Sequence, residues 1–181
     1  MTKKHLLRLT ALLVAAVLCL GCAPVAWAAF PDVEQGKWYT DYVETLTGFG
    51  MLSGYTDGTF KPDGKLSRGE FAKLINSCLG GEAQREPGRH WAAGHVDDLI
   101  EAGVLYYGEM DDSKENLDSP ITRYEMAVML VRTSDLRGDI SFLDFDGSTV
   151  ISDWGTIPSY YSYYVMQAFS RGLLGGYPDG S

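Results

Sequence analysis

Cysteine is nearly absent. The 181 residues hold three, and two of them, Cys19 and Cys22, lie in an N-terminal stretch predicted to be removed. Cys78 is then left without a partner inside the chain, which excludes a disulfide framework even after export. It sits in the apolar pattern Ala72, Leu74, Ile75, Cys78, Leu79 and is expected to be a buried helix residue. Histidine is as scarce: His90 and His95 are the two beyond the leader, they align with Lys37 and Tyr42, and they read as variable surface positions. Positive charge is also short, with 15 Lys and Arg against 24 Asp and Glu and a net charge of −9. Such a surface repels nucleic acid and anionic membrane, so an anionic ligand must be caught by individually placed cations. Long hydrophobic runs are missing too. The run from Leu9 to Leu20 is far short of the roughly 20 residues that cross a bilayer.

Residues 1–28 read as a leader. Lys3, Lys4 and Arg8 form a positive head, Leu9 to Leu20 an apolar run, and Ala26-Trp27-Ala28 a small-x-small cleavage site. Gly21-Cys22 raises lipoprotein processing as an alternative, with Cys19 where that signal normally has Leu. Export is expected either way. Loss of the leader takes three of the 15 basic residues and no acid, so the exported part is more acidic still.

What is abundant is internal repetition. Lys37-Trp38-Tyr39-Thr40-Asp41-Tyr42-Val43 returns as His90-Trp91-Ala92-Ala93-Gly94-His95-Val96, an offset of 53 residues. Gly50-Met51-Leu52 returns as Gly103-Val104-Leu105 and as Gly172-Leu173-Leu174, and Leu66-Ser67-Arg68-Gly69-Glu70 returns as Ile121-Thr122-Arg123-Tyr124-Glu125. Gly54-Tyr55-Thr56-Asp57-Gly58 returns as Gly176-Tyr177-Pro178-Asp179-Gly180. A period near 50 residues means one small unit packed on its own copies. The predicted divisions are 29–82, 83–139 and 140–181.

Each unit reads as two helices joined by a Gly-rich turn, which predicts a mainly α fold with short extended pieces. Val43 and Leu46, Val96 and Leu99, and Val165 and Ala168 keep helical spacing. Gly50, Gly103 and Gly172 are placed as left-handed caps, each followed by an apolar residue that can fold back in a Schellman motif. Asp57-Gly58 suits a tight turn. Ser67-Arg68-Gly69-Glu70 and Thr122-Arg123-Tyr124-Glu125 are capping boxes ahead of apolar runs.

Capping does not explain the arginine. Arg68 and Arg123 both fall at the first helical position, where the helix dipole disfavours a cation. Two readings are open. A guanidinium beside free helix N–H groups is a receptor for a carboxylate or phosphate, or each arginine pairs with an acid of a neighbouring repeat. On the first, replacing either by alanine is expected to leave the fold intact.

The ordered set Phe30-Pro31-Asp32-Val33, Trp38-Tyr39, Gly54-Tyr55-Thr56-Asp57-Gly58-Thr59-Phe60-Lys61-Pro62 and Leu66-Ser67-Arg68-Gly69-Glu70 resembles the S-layer homology module over about residues 30–181. The resemblance implies three tandem modules in a pseudo-threefold, largely helical spindle. It implies a non-catalytic anchor that holds an exported protein non-covalently to the cell wall, through a pyruvylated secondary polysaccharide or modified peptidoglycan. The family's Thr-Arg-x-Glu signature carries its ligand-contacting arginine onto Arg68 and Arg123. Trp38 and Trp91 are then expected either to wall the sugar site or to pack in the core. Amides near Gly54 and Gly58 are expected to add hydrogen bonds. Self-association, protein assembly in a surface layer, or tethering of a larger exported enzyme are the alternatives.

Three departures stand out. Repeat two replaces the Gly-Tyr-x-Asp-Gly turn by Tyr106-Tyr107-Gly108-Glu109-Met110 and runs two residues longer, repeat three inserts residues near Ile157-Pro158, and the third capping box is expected beyond Ser181. Enzymatic readings fail on the residues. No Ser-His-Asp or Cys-His set recurs, and nothing nominates two of the 24 acids for glycoside hydrolysis. Asp144-Phe145-Asp146-Gly147 begins like a calcium loop, but positions six and twelve hold Thr149 and Gly155. No metal or cofactor is expected.

Overall fold

The computed structural model describes residues 30–138 and 151–176. The leader, the Asp144 segment and most of the Gly176–Gly180 turn lie outside the described residues. Within them the chain is mainly helical: α1 (Thr40–Gly48), α2 (Arg68–Cys78), α3 (Ala93–Glu101), α4 (Lys114–Leu117), α5 (Arg123–Arg137) and α6 (Ser159–Ser170), with a 3-10 turn at Trp154–Thr156. The described residues include no strand, only an isolated antiparallel bridge between Ser67 and Pro120. The chain divides into two compact units after Pro62.

The first unit is built around α1 and the turn after it. Val43 is buried on the helix stripe, and the Met51 amide donates to the Leu46 carbonyl at 2.9 Å with Gly50 at φ +71°. That is the Schellman geometry the spacing predicts. The turn closes through Tyr55 N–H to the Thr59 carbonyl (2.8 Å) and Gly58 N–H to the Tyr55 carbonyl (2.9 Å). Asp57 accepts from the Thr59 hydroxyl at 2.6 Å and its amide at 3.0 Å, bonds that push its carboxyl down to about 2. Asp32 accepts from the amides of Phe60 (2.9 Å) and Lys61 (2.6 Å), tying the start of the repeat to its turn. Gly54 is fixed by packing as well as by its φ of +65°: a Cβ there would lie 2.3 Å from the Phe30 ring.

The second unit holds α2 to α6. The second helix of repeat one, α2, packs on α3, α4 and α5, and α5 packs on α6. Phe71, Ile75, Val96, Leu99, Val104, Leu117 and Met129 form the main core, and Ala127, Val131 and Ala168 seal the α5–α6 contact. The Schellman bonds recur from Val104 to Leu99 (2.9 Å) and from Leu173 to Ala168 (2.8 Å). The insertion in repeat three is the 3-10 turn followed by Pro158, which starts α6. Cys78 ends α2 half-buried rather than buried, because the last turn of α2 faces solvent on one side.

Both capping boxes form. Ser67 accepts from the Glu70 amide at 3.2 Å while Glu70 takes the Ser67 amide at 2.8 Å. Thr122 and Glu125 repeat the exchange at 3.3 and 2.8 Å. Ser67→Ala and Thr122→Ala are each expected to lower unfolding free energy by about 1 kcal/mol. Chemical denaturation checks this, and two unshifted midpoints would refute it.

Candidate functional site

The site grows out of the adjacency of those two boxes. The Arg68 amide donates to the Ser119 carbonyl (3.0 Å) and the Ile121 amide to the Leu66 carbonyl (3.0 Å), which zips the approach to α2 against the approach to α5. The heads of the two helices therefore lie side by side. Arg68 reaches across this seam: its Nε and Nη2 donate to Glu125 Oε1 at 3.0 and 2.8 Å, and Nη2 also to Oε2 at 3.1 Å. The side chains are 18% and 20% exposed. Glu125 thus caps its own helix and binds the arginine of the preceding repeat at once. Among the described residues, Nη1 of Arg68 makes no hydrogen bond.

Arg123 also reaches forward by one repeat, its Nη2 donating to the Gly175 carbonyl beside the third repeat's turn. The counter-ion reading thus describes Arg68 as it stands, and the expectation that Arg68→Ala leaves the fold intact comes with a cost in stability. Removing the guanidinium strands a partly buried carboxylate. Tyr161 stacks near this seam, with its ring 4.6 Å from that of Tyr124.

The other expected site residues fall elsewhere. Trp38 is 82% exposed at the head of α1, set edge-on against Tyr39, so it is not a core residue. Trp91 is 36% exposed and lines an open pocket with Arg89, His90 and Lys114 that neither Arg68 nor Arg123 reaches. The Gly58 amide is spent on the Tyr55 carbonyl, so it is not an open donor. The histidines are half-buried rather than fully exposed. His90 is 8% exposed on its side chain, because its Nδ1 accepts from the Ala92 amide at 3.2 Å and its Nε2 faces Asp118 at 3.1 Å. His95 meets Asn76 at 3.1 Å, and burial pulls its imidazole down.

A buried cluster that the repeat pattern does not announce lies between α5, α6 and the altered turn of repeat two. Arg132 is 7% exposed. It donates to Glu109 at 2.7 and 3.0 Å and to the Val104 carbonyl at 2.9 Å. It also donates to Tyr160 and Tyr164 at 3.1 Å, with Tyr106 stacked 4.1 Å from the guanidinium carbon. The altered turn therefore supplies the acid for a buried arginine. The signal available in the sequence was an arginine inside the apolar run of α5 together with an acid in an otherwise Gly-Asp turn.

Burial pushes both carboxyls up, but hydrogen bonds outweigh it. Arg132 and Tyr160 hold Glu109 below the usual glutamate range, and Thr122 and Arg68 do the same for Glu125. A carboxyl depressed in the folded state stabilises fully above its unfolded value, near 4.5, and loses that stabilisation as pH falls through the lower folded value. The contribution of these two carboxyls is therefore expected to hold down to about pH 5 and to be lost steeply below about 4. His95, kept neutral by burial, lowers stability as pH falls through the ordinary imidazole value of 6.5. Urea midpoints across that range test it; a midpoint unchanged at about pH 3 contradicts it.

Among the described residues, no cluster of three or more His, Cys, Asp or Glu could hold a metal ion, and no helix is long and apolar enough to cross a membrane. Paired helices, repeated, with an arginine at the head of each capped second helix and aimed across a seam, define a mainly helical repeat module. The S-layer homology domain model matches residues 29–72 and 150–181, the first and third repeats. The chain is 31% identical over 140 residues to an S-layer protein of Bacillus licheniformis, covering 71% of this chain and 15% of that one. It is 29% identical over 144 residues to S-layer protein EA1 of Bacillus anthracis, covering 74% and 16%. It is 25% identical over 157 residues to an amylopullulanase of Thermoanaerobacterium thermosulfurigenes, covering 83% and 8%. The chain is an S-layer homology domain protein, and it spans less than a fifth of each of these relatives. Such a domain is a non-catalytic module of the cell surface.

Proposed function

We propose that this chain anchors an exported protein to the cell envelope by binding an acidic secondary cell-wall polysaccharide non-covalently. The observation that supports this best is Arg68, held at the head of α2 with Nε and Nη2 on Glu125 and its Nη1 edge uncommitted. A helix N-terminus with a positioned guanidinium favours a carboxylate or ketal acid. Glu125 fixes the planar fork in place, which reduces the ordering cost of binding. Arg123 is the second contact, and within the first unit Trp38 offers an exposed ring to a sugar face.

The partner class decides between this reading and assembly through protein contacts. Purified protein is expected to pellet with cell walls and to stay in solution once the non-peptidoglycan polymer has been extracted. Equal retention by extracted walls would replace the polysaccharide by peptidoglycan as the ligand. Pelleting without walls would favour self-assembly. A second reading, that the chain tethers a larger exported enzyme, is favoured by its match to a short part of the amylopullulanase.

A further inference from the structure

Within the second unit, repeat one meets repeat two where α2 packs on α3. A buried amide crosses that junction. Asn76 of α2 is 3% exposed, and its side-chain nitrogen serves two groups of α3 at once. It lies 3.1 Å from Nδ1 of His95 and donates to Oδ2 of Asp98 at 2.7 Å. His95 and Asp98 stand at i and i+3 of α3, so they share one helix face. The backbone after α2 closes over the same group. The Gly81 amide donates to the Asn76 carbonyl at 2.9 Å, and a Cβ on Gly81 would lie 2.1 Å from Asn76 Oδ1. The Asn76 side chain has no room to swing aside there.

The two hydrogens of the Asn76 amide fix the proton on the imidazole. One points to Asp98 and the other to His95, so Nδ1 of His95 accepts and its proton is on Nε2. A second proton, on Nδ1, would set a donor against a donor. Turning the amide over presents Oδ1 to the imidazolium, but then sets Oδ1 against the Asp98 carboxylate. Either way one bond across the junction is lost. Burial opposes a proton on His95 most strongly, Lys73 of α2 opposes it as well, and Asp98 favours it. The loop beside His95 approaches Gly94 with Ala83 and Gln84, neither of them charged. His90, the other imidazole at the head of α3, spends both nitrogens inside repeat two, on the Ala92 amide and on Asp118.

The junction between repeats two and three is built differently. Tyr164 stands where repeat two has His95, and its hydroxyl accepts from Arg132 of α5 at 3.1 Å. That contact contains no imidazole. We propose that Asn76, His95 and Asp98 form an acid-released latch between repeat one and repeat two, closed while His95 is neutral and loosened when Nδ1 takes a proton. The latch acts on the α2–α3 junction and leaves the α5–α6 junction alone.

The test is hydrogen exchange of the full chain at about pH 7.5 and about pH 5.5, read by mass spectrometry and corrected for intrinsic rates. Glu109 and Glu125 stay ionised across that interval, because both are held below the usual glutamate range. Protection of α2 and α3 is expected to fall about fivefold more than that of α5 and α6. His95→Gln keeps an acceptor on α3 without a titrating nitrogen, and is expected to abolish the difference. In the wild-type chain, NMR is expected to show the Asn76 side-chain amide signals moving with the same midpoint as the His95 ring, below the ordinary imidazole value of 6.5. That second reading stands even where His95→Gln folds poorly. Equal losses at both junctions, the same loss in a folded His95→Gln, or Asn76 signals that ignore the His95 midpoint would each overturn the latch.

Discussion

Arg132→Ala is expected to lower the unfolding free energy by about 3 kcal/mol, at the lower end for breaking a buried ion pair. The size follows from what is left behind. Arg132 donates to Glu109, Tyr160, Tyr164 and the Val104 carbonyl, and its loss leaves a carboxylate that is only 23% exposed facing an apolar seam. The residual exposure of Glu109 lets some water in, which keeps the loss from the upper end of that range. Because stability of domains is roughly 5–15 kcal/mol, such a loss should lower the thermal midpoint by about 6–12 °C. A double variant, Arg132→Met with Glu109→Leu, should recover much of the loss, since it removes both charges together. Circular dichroism melts of the three proteins decide the matter. A midpoint shift below about 2 °C in Arg132→Ala would show that the cluster contributes little.

The same cluster marks the limit of what the residues reveal on their own. Ser67 to Glu70 and Thr122 to Glu125 were legible because a capping box is a local device that spans four residues, and its bonds follow from spacing. Gly50, Gly103 and Gly172 were legible for the same reason, as was the stripe of Val96 and Leu99. Arg132 and Glu109 are 23 residues apart and have no counterpart in the other repeats, so neither local pattern nor repetition links them. Arg68 and Glu125 are separated by 57 residues. Their pairing depends on two boxes lying side by side, which repetition alone does not specify.

The tryptophans show a different limit. Trp38 and Trp91 occupy equivalent positions, yet one is largely exposed and the other walls a pocket. Position in a repeat fixes the backbone, while the groups around a ring come from the loop before the helix and the segment after it, where repeats one and two differ. His90 is the same: its Nε2 faces Asp118, just past α4, and its Nδ1 accepts from the Ala92 amide, neither of which has a counterpart at Lys37.

The second large effect is expected at the wall. Arg68→Ala should weaken binding by roughly 1.5–3 kcal/mol if a charge-assisted hydrogen bond to the glycan is lost, which is about tenfold to over a hundredfold in affinity. Its cost to folding is smaller, because Arg68 is less buried than Arg132 (18% against 8% exposed on the side chain) and its guanidinium serves Glu125 alone, which keeps both bonds from Thr122. Arg68→Lys should not restore affinity fully, since an ammonium cannot hold Glu125 with one edge and a ligand acid with another. Arg123→Ala should matter less, because its repeat carries the diverted turn.

Binding isotherms of wild-type protein and Arg68→Ala on the same intact cell walls, at a temperature where melts show both to be fully folded, test the anchoring role most directly. An affinity reduced at least tenfold with the plateau unchanged is the expected result. Superimposable isotherms would show that Arg68 is a counter-ion for Glu125 alone and that the wall is gripped elsewhere.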